Sequence, residues 1–410
     1  MSTAYTYLTD AHLRLRDQAR EFGREVIAPR VPRMEAAGTH ADRDLPGRMA
    51  ELGWCGVIVG AEYGGMGLDH LSKTILIEEA AYVSGAAGGI LQASHIPTTA
   101  VLYLGSEEQK RYWLPQIAAG LWATIAVTEP DSGSHVLGMD GTARRRGKHW
   151  IIDATKCFIG NAGIAGLHVV IVRTGKPGAQ TSLSAFLVEA DRDGIEVTQP
   201  PFVGMHGFTC GTLSLRSVQV PGTHLLGEVG DGLAAAYTAS VVCGRPNLAA
   251  TALGLHRRVM DETRRFLAAR RRRAGKHLAE LRRLSEHPIV MHRLGEIESR
   301  LMTAERLAYD AVHLLDSGRP CDAELVQSKL IGNVTAGESL RDASALHGGY
   351  AARTDLPITR LMRDIQHVGA PAGPDDVQRY RLSEKAIGAD RIEWSAEFIR
   401  RTAKPFAAAV

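Results

Sequence analysis

Apolar positions recur at helical spacing at both ends of the chain and break into short alternating runs in the middle. Leu13, Ala19, Phe22 and Val26 predict one or two amphipathic helices over 8–38. A short helix over 44–54 should stop at Gly53, and the Ala- and Ile-rich stretch 72–105 predicts two more. Between them, 57–68 is punctuated by glycine and reads as a chain reversal. Ser106 followed by Glu107, Glu108 and Gln109 has the pattern of a helix N-cap. His95 falls on an apolar face and reads as a satisfied core histidine rather than a catalyst.

From Ala126 to about Gly232 the period changes. β-branched runs at 125–128, 150–154, 169–174, 184–188, 194–198 and 212–220 alternate with Gly, Pro and Asp turns, as in a compact barrel or sandwich. Beyond Leu233 four long helical stretches are expected, at about 233–273, 286–317, 321–347 and 375–401, and short connections favour an antiparallel bundle.

Composition narrows the class without naming a partner. The 410 residues can bury a large core in two or three domains. With 48 basic and 45 acidic residues, bulk charge favours neither nucleic acid nor membrane. The 5 cysteines (Cys55, Cys157, Cys210, Cys243, Cys321) are scattered without metal-ligand spacing. A reduced thiol set and no metal are therefore expected. The polar N-terminus has no signal pattern and no run is long enough to span a membrane, so a cytoplasmic location is expected.

Chemistry concentrates between Trp122 and Ala162. In Ala126-Val-Thr-Glu-Pro-Asp-Ser-Gly-Ser134 a strand is stopped by proline and opens into a turn of small residues, whose amides and hydroxyls can approach an anion or ring edge. Ile151-Ile-Asp-Ala-Thr-Lys-Cys-Phe-Ile-Gly-Asn161 reads as a hairpin strand. Together they resemble the middle-domain signature of the acyl-CoA dehydrogenases, T-E-P-x-x-G-S-D followed by G-x-K-x-[FW]-I-T-N. Ala61-Glu-Tyr-Gly-Gly resembles that family's P-E-x-Y-G-G loop, and Arg360-Leu-Met-Arg-Asp364 its R-L-x-R-D element. The resemblance runs from about Leu8 to Gly388 and implies an α+β multidomain fold. An N-terminal helical domain (1–124) would precede a middle β-barrel domain (125–232) and a C-terminal four-helix bundle (233–410).

It also implies a flavoprotein. Val127, Thr128, Ser134 and Phe158 would line FAD, and Gly160 replaces a hydroxyl residue that hydrogen-bonds flavin N5, opening space there. Arg271, in Arg271-Arg-Arg-Ala-Gly275, would grip the pyrophosphate, although a solvated basic helix end fits Arg270–Arg273 equally well. A basic cluster there could also meet an acidic carrier protein. Gly348 and Gly349 would meet the FAD of a neighbouring subunit in a homodimer or homotetramer, with Ala345 in place of the family's glutamine and Pro374 in place of its threonine. Ser134, His135, Arg245 and Gly373 would contact an acyl thioester on CoA or an acyl carrier protein, and His206 lies beside the same channel.

The family's general base is the main departure. Counted from Arg363-Asp364, the usual glutamate falls on Ala372, and the alternative position, in Cys243-Gly-Arg-Pro-Asn247, is Gly244. No Asp or Glu occurs between Gly232 and Met260. Ala372 keeps a backbone N–H that could polarise the thioester carbonyl, whereas loss of a base typically costs about 10²–10⁴-fold. Asp375 and Asp376 read as first-turn helix residues, and His367 is a minor candidate for a chemical role.

Three functions stay open: an FAD-dependent oxidoreductase on an acyl thioester, specialised and biosynthetic rather than serving routine β-oxidation; a flavin-dependent monooxygenase on the same fold; and a non-redox or flavin-free thioester-binding scaffold.

Overall fold

The computed structural model describes residues 5–38, 40–274, 280–389 and 392–402, the side chains of 272–274 and 280–282 excepted. Helices α1 (Asp10–Phe22) and α2 (Val31–Ala37) are joined by a π turn and a 3₁₀ turn into one nearly continuous arm. α3 (Asp44–Glu51) is followed by Gly53 at φ 75, a left-handed turn open to glycine. α4 (His70–Val83) and the 20-residue α5 (Gly85–Leu104) meet at Ser84, whose hydroxyl caps α5. In α6 (Glu107–Ala118) Ser106 and Gln109 form the reciprocal capping box expected from their spacing. His95 is fully buried with Nε2 on the Trp54 carbonyl at 2.9 Å, as expected of a core histidine.

The middle segment is one curled sheet of β1 (Ala123–Ala126), β2 (Thr142–Arg146), β3 (His149–Gly160), β4 (Leu167–Arg173), β5 (Leu183–Glu189), β6 (Ile195–Thr198), β7 (Cys210–Pro221) and β8 (Leu225–Leu226). Their hydrogen-bonded order is β6-β7-β3-β2-β4-β5-β8, with β1 also on β4. Among the described residues no ladder joins β6 to β8, so the expected barrel is an open sheet with two edges. β2 escapes the sequence pattern because Thr-Ala-Arg-Arg-Arg buries one residue and exposes its three arginines. β4 and β5 are apolar on both faces. Val170, Val172, Phe186 and Val188 face the sheet's own core, while Val169, Ile171, Ala185 and Leu187 pack with helix residues such as Ala100 and Leu104.

The last segment begins with α7 (Gly232–Thr238), a π turn at Ala239–Gly244 and α8 (Arg245–Ala269). The helix expected to reach 273 ends at Ala269. Arg270 turns extended, with its guanidinium 3.5 Å from the centroid of the Tyr350 ring. The chain then enters a hairpin of β9 (Arg271–Ala274) and β10 (Glu280–Arg283), not a solvated helix end. Next come α9 (Pro288–Asp316), α10 (Asp322–His347), α11 (Pro357–Ile365), α12 (Asp375–Ala386) and α13 (Trp394–Thr402). α11 has no counterpart among the expected helices, and the helix expected at 375–401 is two helices, broken where Gly388 takes φ 68. α10 packs on α8, α9 and α12, and α4 of the first helical segment lies against α8 and α9. No helix among the described residues is long and apolar enough to cross a membrane.

Candidate active site

The two middle-segment motifs are locked together by a buried ion pair. Lys156 Nζ lies 2.7 Å from Glu129 Oε1 and donates to the Val127 carbonyl at 3.0 Å, while Cys157 N–H donates to the Thr128 carbonyl at 2.9 Å. Glu129 also accepts from the backbone N–H groups of Asp140 and Gly141. Burial pulls the Lys156 ammonium down while Glu129 holds it up. Glu129 and Lys156 are thus structural members of the two motifs, a pairing the sequence did not reveal because 27 residues separate them.

That lock leaves donors and an aromatic face unused. The N–H and hydroxyl groups of Thr128 and Ser134 have no protein partner among the described residues. Phe158 sits at a break in the β3–β7 register with φ 58 and is 67% exposed, its nearest ring partner being Phe202 at 6.4 Å. Free donors beside an exposed ring are a donor set suited to the heteroatom edge and face of an isoalloxazine.

Helix α5 forms one wall. Ile90 O accepts from Asn161 Nδ2 and Gln92 O from Asn247 Nδ2, both at 2.9 Å, so α5 ties β3 to α8. On one face of α5, Ala93 borders Gly160 and Ile96, one turn on, borders Gly244. Gly160 does not open space as expected. A Cβ there would stand 3.0 Å from Phe208 Cζ and 3.1 Å from Ala93 Cβ, and the Phe208 ring also covers Gly89. The room expected beside Gly160 is filled by a ring edge.

The two residues at the expected base positions come together. A Cβ on Gly244 would lie 3.3 Å from Ala372 Cβ, 3.6 Å from Ile96 Cδ1 and 3.8 Å from the Ala239 carbonyl, none of them a carboxylate atom. Gly244 ends the π turn, a feature that is frequent at functional sites. Ala372 has φ 54, a left-handed conformation that costs a non-glycine residue about 1–2 kcal/mol. Its loop is held by its carbonyls. Gln378 Nε2 donates to those of Ala372 and Gly373, and Lys329 Nζ to those of Gly369 and Gly373. Ala372 N–H has no protein partner among the described residues. Burial lowers Lys329 to about 8, against the pull of Asp375.

Other candidates are engaged elsewhere. His367 Nε2 accepts from Gly204 N–H at 3.2 Å, and burial, then His206, lowers its basicity. Asp364 accepts from Met205 N–H, Arg363 pairs with Glu35, and Arg360 donates to the Val83 carbonyl. The Arg360–Asp364 element therefore staples the loop carrying Phe208 to the first helical segment. Asp375 accepts from Asn333, and Asp376 pairs with Arg379 within the first turn of α12. His206 lies between Glu35 and the Phe202 carbonyl, and His135 is exposed with its ring over Gly138. Among the described residues no cluster of His, Cys, Asp or Glu could hold a metal.

Arg271, Gly348 and Gly349 form a separate group. Arg271 is exposed on β9, the two glycines have open space around them, and the Arg270–Tyr350 stack brings the segments together. Gly244 and Arg270 flank the 25-residue α8, so they lie roughly 39 Å apart at 1.5 Å per residue, and this group is at the far end of α8 from the Gly244–Ala372 contact. One protomer does not unite them. Gly275 lies outside the described residues.

Comparison with known proteins agrees with this architecture. Profiles described as acyl-CoA dehydrogenase N-terminal, middle and C-terminal domains match residues 9–121, 124–218 and 230–387. The chain is 30% identical over 385 residues to an acyl-CoA dehydrogenase of Bacillus subtilis, covering 93% of this chain and 99% of that protein. It is 29% identical to a 3-(aryl)acrylate reductase of Clostridium sporogenes, over 93% of this chain and 100% of that one. The solved FAD complex of PigA shares the fold, with a TM-score of 0.85 at 24% identity over 94% of this chain and 99% of that chain. Three matched domains in order, and end-to-end similarity to a relative, place the chain in the acyl-CoA dehydrogenase family.

Proposed function

We propose that this protein is an FAD-dependent oxidoreductase acting on an acyl thioester carried by CoA or an acyl carrier protein, in a specialised reaction rather than routine β-oxidation. The observation that carries the reading is the Ala372 loop. It is strained into φ 54, its neighbouring carbonyls are held by Gln378 and Lys329, and its N–H is left unpaired beside Gly244. A preorganised N–H of this kind suits a thioester oxygen that gains negative charge as the α-carbon loses a proton. Neither Gly244 nor Ala372 can take that proton, so the substrate must be unusually acidic or a group other than the family's glutamates must accept it.

FAD supplies a two-electron acceptor when bound. Thr128 and Ser134 would donate to its ring edge and Phe158 would cover its face, and PigA, of the same fold, was solved with FAD. Phe208 would limit access beside Gly160. Phe208 takes the space beside Gly160 that oxygen chemistry at the ring could use, so that position adds no support to a monooxygenase. Arg271, Gly348 and Gly349 would serve the FAD of another protomer, since α8 separates them from their own cleft, which supports a homodimer or homotetramer.

Purification decides most of this. The protein is expected to be yellow, and its flavin absorbance should bleach anaerobically with an acyl thioester. A colourless protein that gains no spectrum with added FAD would overturn the reading.

A further inference from the structure

Three lysines of the described residues are fully buried, and they are held in different ways. Lys156 pairs with Glu129, and Lys329 donates to two loop carbonyls. Lys73, on α4, has no carboxylate within 4 Å among the described residues. Its Nζ lies 3.0 Å from His70 Nδ1 and donates to Cys243 Sγ at 3.4 Å. The acids at this end of α4 are committed. Asp69 pairs with His12 and accepts from Ser72 N–H, and Asp316 accepts from the N–H groups of His70 and Leu71. Burial, then Lys73, holds His70 well below the usual imidazole range, so it faces Nζ as a neutral ring. Arg245, two positions after Cys243, is also buried but has Asp322 as its charge partner. A buried lysine without a counter-charge is costly in a fold that does not use it.

The sulfur it meets is as enclosed as the lysine. Cys243 is fully buried, 170 positions from Lys73, and its Sγ also accepts from Asn247 Nδ2 at 3.3 Å. Among the described residues no other cysteine has a lysine Nζ within hydrogen-bonding distance. A side-chain nitrogen and a thiol sulfur held this closely, with no acid between them, are one oxygen atom short of a covalent link. Dioxygen is small and apolar enough to enter a dry interior that excludes charged reagents.

From this contact we infer that Lys73 and Cys243 form a modification site at which dioxygen builds an N–O–S bridge between the two side chains. In the amine and thiol forms, one N–H bond, the S–H bond and the O=O bond break, and an N–O and an O–S bond form. Nitrogen and sulfur each give up an electron pair, and both pairs reduce the dioxygen. One oxygen stays in the bridge, and the other leaves as water with the two released hydrogens. The bridge fastens α4 to the π turn that carries Gly244. It requires neither flavin nor thioester, so it stands apart from the proposed function.

The test is mass spectrometry of the full-length protein, purified without oxygen and then divided between anaerobic and air-saturated buffer. The aerated chain should gain about 14 Da, one oxygen less two hydrogens, and the anaerobic chain nothing. A non-reducing tryptic digest should join the peptide containing Lys73, left uncut at that lysine, to the peptide containing Cys243. Dithiothreitol added to the unfolded protein should release both at their original masses. Cys243→Ser should abolish the gain, whereas Cys55→Ser, at a buried cysteine without a lysine in reach, should keep it. Aerated wild-type protein with no gain would overturn the inference. So would oxidation of Cys243 alone to a sulfenic or sulfinic acid, or a link that persists in Cys243→Ser. If Cys243→Ser does not fold, the wild-type digest alone decides.

Discussion

Gly244 and Ala372 touch: the position of a Cβ on the glycine is 3.3 Å from the Cβ of the alanine. They are 128 positions apart and come from a π turn and from the loop before α12. The two positions at which the family's acid is expected are therefore two approaches to one point, and the residues found there, glycine and alanine, place no carboxylate at it.

That contact predicts an asymmetry. Ala372→Glu has room, because Gly244 presents no side chain, and should create or raise ordinary acyl-CoA dehydrogenase activity by about 10²-fold or more. Gly244→Glu meets Ala372 Cβ at a tight distance and should gain less, and the double variant should not exceed Ala372→Glu, since adjacent carboxylates oppose each other's ionisation. Anaerobic dye reduction with saturated acyl-CoA substrates measures all three. An inert Ala372→Glu protein that still binds FAD and acyl-CoA would count against assigning the base position to residue 372.

The Glu129–Lys156 pair predicts a stability effect where a catalytic reading would look for an activity effect. Lys156→Met leaves a buried carboxylate with only the Asp140 and Gly141 amides, which should cost about 3–5 kcal/mol. Glu129→Gln with Lys156→Met removes both charges and keeps an acceptor for those amides, and should recover at least half of the loss. Calorimetric unfolding of the three proteins checks this, and equal losses in single and double variants would sink it.

Much of this is legible in residue order and some cannot be. The helix caps at Ser106 and Gly53 and the β-structured centre rest on local spacing, which sequence carries directly. The open edges are not legible, because β6 reads as a strand whether or not its outer edge pairs and β8 is too short to read as one. Gly160 looks like free space in the sequence because its occupant, Phe208, arrives from a loop 48 positions later, held by Asp364 of another segment.

Phe208 yields a paired prediction. Gly160→Thr restores a hydroxyl residue but drives its Cβ to 3.0 Å from Phe208 Cζ and 3.1 Å from Ala93 Cβ. Overpacking of this kind should cost about 1–3 kcal/mol. Adding Phe208→Leu should relieve the clash and return the melting temperature toward that of Phe208→Leu alone. Unchanged stability of Gly160→Thr would show that the ring edge is not fixed there.

Buried neutral histidines set the acid limit of the fold. Burial, with Lys73 adding to it, lowers His95 to about 3; burial alone lowers His168 to about 4; burial and then Arg300 lower His256 to about 3. All three titrate near 6.5 when exposed. Above that pH neither state binds the protons and the groups do not affect stability. As the pH falls toward 4, the unfolded chain takes up protons that the folded chain refuses, so stability is lost. Each group contributes a slope of about 1.4 kcal/mol per pH unit, about 4 for the three together. His256 is the sharpest probe, because both ring nitrogens lack a partner among the described residues. His256→Leu should flatten the pH dependence of the urea midpoint by about one proton's worth between pH 6 and 4.5. It should also raise stability at pH 7, where an unpaired buried imidazole is replaced by an apolar side chain. A variant with the wild-type slope would mean that His256 is protonated inside the folded protein.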